Sequence, residues 1–160
     1  MLWDTEAVAR HLLVVHHSRT GTTAVLRDDV LAGATDAGGD VEVRSMGAFD
    51  CGPDDVCWSE ALVLCTPANF GYMSGALKDF FERIYHACLD RTAGLPYGLV
   101  VKGDTDVDGA VASVERIAAG LKWRQVAPPV TVVGAVTAET RAAARELGAM
   151  VAASLDAGII

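Results

Sequence analysis

Basic residues are scarce in this chain. Thirteen Lys and Arg stand against 21 Asp and Glu, a net charge of −8 that argues against nucleic acid and anionic membrane as partners. Long apolar runs are missing too, and none approaches the length needed to span a bilayer. The opening Met1-Leu2-Trp3-Asp4-Thr5-Glu6 lacks the basic-then-apolar plan of a secretion signal, so the cytoplasm is the expected compartment. Cys51, Cys57, Cys65 and Cys88 contain no CxxC pair, which removes the usual zinc and thioredoxin-like arrangements. Nor does any of them begin the Cys-x5-Arg string of a cysteine phosphatase. There is no Gly-x-Gly-x-x-Gly, which counts against a Rossmann dinucleotide fold, and no Walker lysine after Gly21. A receiver domain would need acidic residues ending its first and third strands, where this chain has His17-Ser18 and Thr66-Pro67.

What is present is a globular composition, with 51% hydrophobic and 21% charged residues. A chain of 160 residues is most simply one domain, here 11–160, preceded by an arm at 1–10 in which Trp3 and Val8 offer packing groups. Strands are expected at 11–17, around Val41 and Val43, at 61–66, at 97–101 and at 130–136. The first, third and fourth are continuous apolar runs, as in strands buried on both faces. Helices are expected from Thr22 to Thr35, over 74–91, along Ala110 to Leu121, and over 138–155 behind a Thr137 cap. The Gly-, Pro- and Asp-rich stretch 47–59 reads as an irregular connection with one helical turn near Trp58. Cys65 and Cys88 read as core residues; Cys51 and Cys57 fall in the loop, and none of the four receives a function. Regular alternation argues for an α/β protein with a parallel sheet covered by helices on both faces. Ligands of such sheets sit beyond the carboxyl ends of the strands.

Three loops occupy that edge. The first, Ser18-Arg19-Thr20-Gly21-Thr22-Thr23, carries hydroxyls, a glycine and no acid at a helix start, which suits a phosphate as well as a plain helix cap. The second, Pro67-Ala68-Asn69-Phe70-Gly71-Tyr72, places aromatics beside glycine, a bed for a planar heterocycle or a cover for the sheet end. The third is Lys102-Gly103-Asp104-Thr105. The first loop resembles the flavodoxin phosphate loop, Ser/Thr-x-Thr-Gly-x-Thr. The second, with Met73-Ser74-Gly75 and Leu77-Lys78-Asp79-Phe80 behind it, is similar to the flavin-ring loop of flavodoxin-like NAD(P)H-dependent oxidoreductases.

The resemblance spans residues 11–157 and implies a flavodoxin-like doubly wound fold with five parallel strands in the order 2-1-3-4-5. It implies FMN as cofactor, with its phosphate on residues 18–23 and its ring between residues 67–72 and 102–105. It further implies NAD(P)H as electron donor, a small-molecule or protein redox acceptor, and a homodimer. Flavodoxins that only carry electrons usually stack an aromatic from the third loop on the ring. No Trp, Tyr or Phe occurs from 98 to 122, which favours an enzyme with one open flavin face over a non-enzymatic carrier. The cofactor would carry the chemistry, so no side chain is assigned as catalytic acid, base or nucleophile.

The third loop carries a rival motif. Asp104-Thr105-Asp106-Val107-Asp108-Gly109 with Glu115 satisfies the EF-hand string, which makes calcium at 104–115 a minor alternative. An EF-hand needs a preceding helix, whereas Tyr97 to Val101 reads as a strand, and an Asp-rich helix start explains the same residues. No metal is assigned. Left without a cation, the loop's acids would disfavour a negatively charged reduced flavin. His17, at the end of the first strand, reads as a packing group or a ligand contact; His11 and His86 read as surface residues.

Overall fold

The computed structural model describes residues 8–160. Its strands are β1 (Arg10–His16), β2 (Val41–Gly47), β3 (Ala61–Asn69), β4 (Tyr72–Met73), β5 (Pro96–Gly103), β6 (Arg124–Gln125) and β7 (Val130–Val133). Its helices are α1 (Thr22–Asp36), α2 (Pro53–Trp58), α3 (Gly75–Cys88), α4 (Asp108–Gly120) and α5 (Ala138–Asp156). β2, β1, β3 and β5 lie side by side in parallel, and β6 and β7 both pair with β5.

The apolar runs are continuous because both sheet faces are covered. Leu12 and Val14 of β1, Val63 and Cys65 of β3 and Val100 of β5 share one core with α1 and α5. Their neighbours Leu13, Val15, Leu62, Leu64, Leu99 and Val101 share the other with α2, α3 and α4. α3 supplies its anchors, Leu77, Phe80, Phe81 and Ile84, all at most 1% exposed. Each such side chain contributes about 1.5–3 kcal/mol by leaving water. On the opposite face α1 and α5 touch backbone to backbone. A Cβ on Gly33 would enter the Arg145 carbonyl, and one on Gly148 the Val30 carbonyl.

The five-strand order 2-1-3-4-5 needs correction: the sheet has seven strands, in the order β2-β1-β3-β5-β6, with two pairings off that path. The outer strand is split. β6 pairs with Pro96 and Tyr97, β7 with Val100 to Gly103, and Pro128 and Pro129 fall between them. Proline has no N–H to give the ladder, so pairing lapses there. β7 also stops at Val133 rather than 136, where Gly134 turns with φ 78°. The other extra strand is β4, which pairs antiparallel with the end of β3.

Smaller differences follow from packing. β1 begins at Arg10, inside the expected arm; Trp3 lies outside the described residues, and Val8 is exposed. His11 is half-buried rather than on the surface, stacked on Trp58 at 4.1 Å with its Nδ1 3.0 Å from the Trp58 carbonyl. Arg44 covers that Trp58 ring at 3.7 Å. Cys51 is fully buried, and Cys57 sits on α2 with its Sγ 3.9 Å from Cys88 Sγ. No helix among the described residues is long and apolar enough to cross a membrane.

Candidate functional site

The three carboxyl-edge loops meet. A shallow cleft of about 130 Å³ is lined by Arg19, Thr20, Thr22 and Thr23 of the first, Pro67, Ala68 and Asn69 of the second, and Lys102, Gly103 and Asp104 of the third. Larger hollows exist beside β2 (about 310 Å³) and between α3 and α4 (about 460 and 540 Å³). Size alone does not choose among them; the three-loop cleft alone lies over the central strands β3 and β5 with a helix start in its wall. Ser18 and Gly21 face the hollow beside β2 instead. Phe70, Gly71, Tyr72 and Thr105 do not line the cleft, although they belong to its loops.

The phosphate-type loop is built as an anion cradle. Gly21 takes φ 95°, a left-handed conformation that suits glycine, and its N–H donates to Ser18 Oγ at 3.1 Å. As the residue before α1 it has no side chain with which to cap, and no acid occupies the first turn. The leading N–H groups of α1 therefore keep their positive end towards the loop. Thr20 Oγ1 and Thr22 Oγ1 stand 3.4 Å apart beside it. α3 and α5 differ in this respect: Ser74 Oγ accepts from the Leu77 N–H (3.2 Å) and Thr137 Oγ1 from the Thr140 N–H (3.2 Å).

The second loop is a hairpin rather than a simple strand-to-helix turn. Ala68 faces Met73 and Asn69 faces Tyr72, so Phe70 and Gly71 alone make the bend. Their φ values, 53° and 71°, are those of the mirror-type turn that matches strand twist. For Phe70 that conformation is costly, and its ring gains nothing by burial because it is fully exposed. Two buried hydroxyls fix the hairpin's base. Ser74 N–H donates to Thr66 Oγ1 (3.1 Å), and Met73 N–H to Ser113 Oγ (3.2 Å). Ser113 Oγ in turn donates to the Ala110 carbonyl at 2.7 Å. Thr66, Ser74 and Ser113 were not legible as site-positioning residues, since their partners lie up to 40 residues away.

The start of α4 presses on this hairpin. A Cβ on Gly109 would collide with the Gly71 carbonyl. That contact gives the glycine of the calcium-like string a packing reason, and Gly109 is helical rather than left-handed. The string follows strand β5, and Glu115 lies within α4. Asp106 Oδ1 accepts from the Asp108 N–H at 2.9 Å, a turn contact at the helix start. Among the described residues no three His, Cys, Asp or Glu side chains form a metal-ligating group.

Lys102 and Asp104 form an ion pair at 2.7 Å. The hydrogen bond that the Lys102 ammonium donates, and next its positive charge, hold the Asp104 carboxyl below its ordinary range. The Lys102 side chain is mostly buried while Asp104 is almost fully exposed, so the cation lies nearer the cleft floor. Asp104 is thus compensated within the loop itself.

No family model matches the chain. A flavodoxin of Aquifex aeolicus (strain VF5) is 33% identical over 73 residues, 46% of this chain and 39% of the relative. The match thus spans less than half the length of that curated relative. Among solved structures, a flavodoxin from the domain Archaea superposes with TM-score 0.80 at 14% identity, covering 91% of this chain and 98% of that one. A flavodoxin, WrbA-like protein from Agrobacterium tumefaciens gives 0.74 at 17% identity, covering 90% and 96%. Sheet, loops and these likenesses agree on the fold: the chain has the flavodoxin-like fold.

Proposed function

We propose that this protein binds FMN in the three-loop cleft and works as an oxidoreductase that draws electrons from NADH or NADPH. The observation that carries the reading is the convergence of an uncapped helix start, a strained hairpin and a cation-bearing loop on one cleft. The residues fit the group. A dianionic phosphate suits the α1 start, where N–H groups and the Thr20 and Thr22 hydroxyls are donors and no carboxylate intrudes. The cleft's carboxylate, Asp104, is already paired with Lys102.

Once bound, the flavin supplies hydride and single-electron chemistry at its ring. The protein's share is to hold and orient. Pro67, Ala68 and Asn69 offer one wall, fixed from below by Thr66, Ser74 and Ser113. Lys102 places a partly compensated positive charge on the other, which favours an electron-rich ring. Exposed Phe70, held in a costly conformation without burial, is suited to contact a ligand above the cleft. The third loop brings Lys102, Gly103 and Asp104 to the cleft and no aromatic, which leaves a ring face for a small acceptor. A cytoplasmic setting and a homodimer belong to this proposal.

A second reading, an electron carrier that docks on protein partners through its acidic surface, is favoured by the net charge of −8 and by the flavodoxin relative. Anaerobic mixing of the flavin-loaded protein with NADPH or NADH separates them. Bleaching of the flavin absorbance within the mixing experiment supports the reductase. Bleaching by dithionite alone excludes it and leaves the carrier.

A further inference from the structure

Two thiols meet at the end of α3 that points away from the cleft. Cys57 Sγ of α2 and Cys88 Sγ, on the last residue of α3, stand 3.9 Å apart, and all four cysteines are free. The Cys88 sulfur also lies 3.8 Å from the Pro53 carbonyl. Pro53 and Cys57 are one helical turn apart, so Cys88 rests its sulfur against a single face of α2. That face is fixed. Val56 is buried in the core that α2 shares with α3, and the Trp58 ring contacts both His11 (4.1 Å) and Arg44 (3.7 Å). Arg83 of α3 holds the loop ahead of α2, donating to the carbonyls of Ala48 (2.6 Å) and Cys51 (2.8 Å). The two sulfurs differ in access. Cys88 is fully buried, as are Cys51 and Cys65, whereas Cys57 is half-buried and reaches solvent. Burial pushes the Cys88 thiol up to about 12, so it stays protonated and does not compete for an oxidant in solution.

We propose that Cys57 and Cys88 are a redox modification site, joined in a reversible intramolecular disulfide when the protein meets hydrogen peroxide. The accessible Cys57 reacts first. Its thiolate takes one peroxide oxygen to become a sulfenic acid, the O–O bond breaks, and the hydroxide released is protonated to water. The Cys88 sulfur then attacks the sulfenic sulfur. The S–S bond forms, the S–O bond breaks, and the departing hydroxide leaves as water with the Cys88 proton. Two thiols are thus oxidised while one peroxide is reduced to two waters, and a thiol reductant reverses the bond. The remaining gap of about 2 Å is within the travel of a cysteine side chain between staggered rotamers. A resolving thiol so close also stops Cys57 short of the irreversible sulfinic acid. The two cysteines are 31 positions apart, and the segment they enclose carries β3, the hairpin and α3, so the bond constrains the unfolded chain. It forms at the far end of a 14-residue helix, about 20 Å long, whose start lies at the hairpin base. The bond therefore stiffens the fold and is independent of what fills the cleft.

Treating the reduced, purified chain with a small molar excess of hydrogen peroxide tests the proposal, read by peptide mass spectrometry and by thermal melting. The expected product is a peptide pair joined through Cys57 and Cys88, lighter by two hydrogens than the separate thiols. The melting temperature should rise by about 5–10 °C, and dithiothreitol should reverse both changes. Cys57→Ser, at a half-buried position, should fold and melt as the reduced wild type does and lose the peroxide-dependent rise. Cys88→Ala, which removes the resolving thiol, should instead let Cys57 proceed to sulfinic acid. In the wild type, Cys57 found as sulfinic acid or bridged to Cys51 or to a second chain, with Cys88 still a thiol, would overturn the pairing. So would a peroxide-dependent rise in melting temperature that survives Cys57→Ser.

Discussion

Gly109 is the position where packing and helix propensity make opposite demands, so Gly109→Ala is a sharp test of how the hairpin is held. In an open helix the change would gain up to about 1 kcal/mol, because alanine loses less backbone freedom. Here the new methyl would meet the Gly71 carbonyl, a backbone atom that cannot swing aside as a side chain would. Forcing an extra carbon into a packed contact costs about 1–3 kcal/mol. The two terms leave a net loss of up to about 2 kcal/mol, or a displaced hairpin, or some of each. Since the displaced element carries the 67–69 wall of the cleft, FMN affinity should fall about tenfold even where the fold survives. Urea unfolding followed by circular dichroism reads the first effect, and fluorescence titration with FMN the second. Gly75→Ala is the matched control: it also replaces a helical glycine, but a Cβ there meets nothing within 4 Å, so stability should hold or rise. A Gly109→Ala protein as stable as that control, with unchanged FMN affinity, would refute the buttress.

Three further outcomes are expected. Phe70→Asn should stabilise the hairpin by about 0.5–1 kcal/mol, since Asn accepts φ near 53° more readily, yet slow turnover with an acceptor; a loss of stability in urea would show that the bend is unstrained. Burial, and next the neighbouring Arg27, hold His16 below its ordinary 6.5. The unfolded chain therefore takes up that proton first, and the melting temperature should drop as pH falls below about 6.5, a loss that His16→Asn removes in part. Burial pushes the Cys51 and Cys65 thiols up to about 12, and Cys88, buried beside Cys57, likewise to about 12. In native protein at pH 8 iodoacetamide should reach half-buried Cys57 first, whereas urea exposes all four; mass spectrometry counts the adducts.

The parts of the fold that were legible in the sequence are those with a strong local signal. The α3 stripe from Leu77 to Cys88 is buried as its spacing implies. The apolar runs of β1, β3 and β5 lie in the sheet interior, and Thr137 caps α5. The meeting of Arg19, Thr20, Thr22 and Thr23 with residues 67–69 and 102–104 follows from the alternation of strands and helices, whereas the turning of Ser18 and Gly21 towards the β2 side does not. Less legible were features set by contacts far along the chain. A two-residue strand such as β4 has no periodicity to detect, although Asn69-Phe70-Gly71-Tyr72, with glycine second in the bend, carries a faint turn signal. The Pro128-Pro129 pair stands just before the strand expected at 130–136, but nothing local marks it as a break within the outer edge. Gly109 matched a calcium string so well that its packing role against Gly71 was masked. His11 looked like a surface residue because nothing local announces Trp58, 47 positions away.

The central claim, a flavin phosphate held on residues 18–23, is tested most directly by one paired titration. FMN is added to the wild-type chain and to a Thr20→Ala/Gly21→Asp variant, with flavin fluorescence as the readout and circular dichroism confirming the fold of each. The substitutions remove a hydroxyl donor and set a carboxylate against the phosphate at the uncapped start of α1. The account predicts saturable quenching by the wild type and none by the folded variant. Equal affinity in the two proteins, or a wild type that leaves FMN fluorescence unchanged, would contradict it.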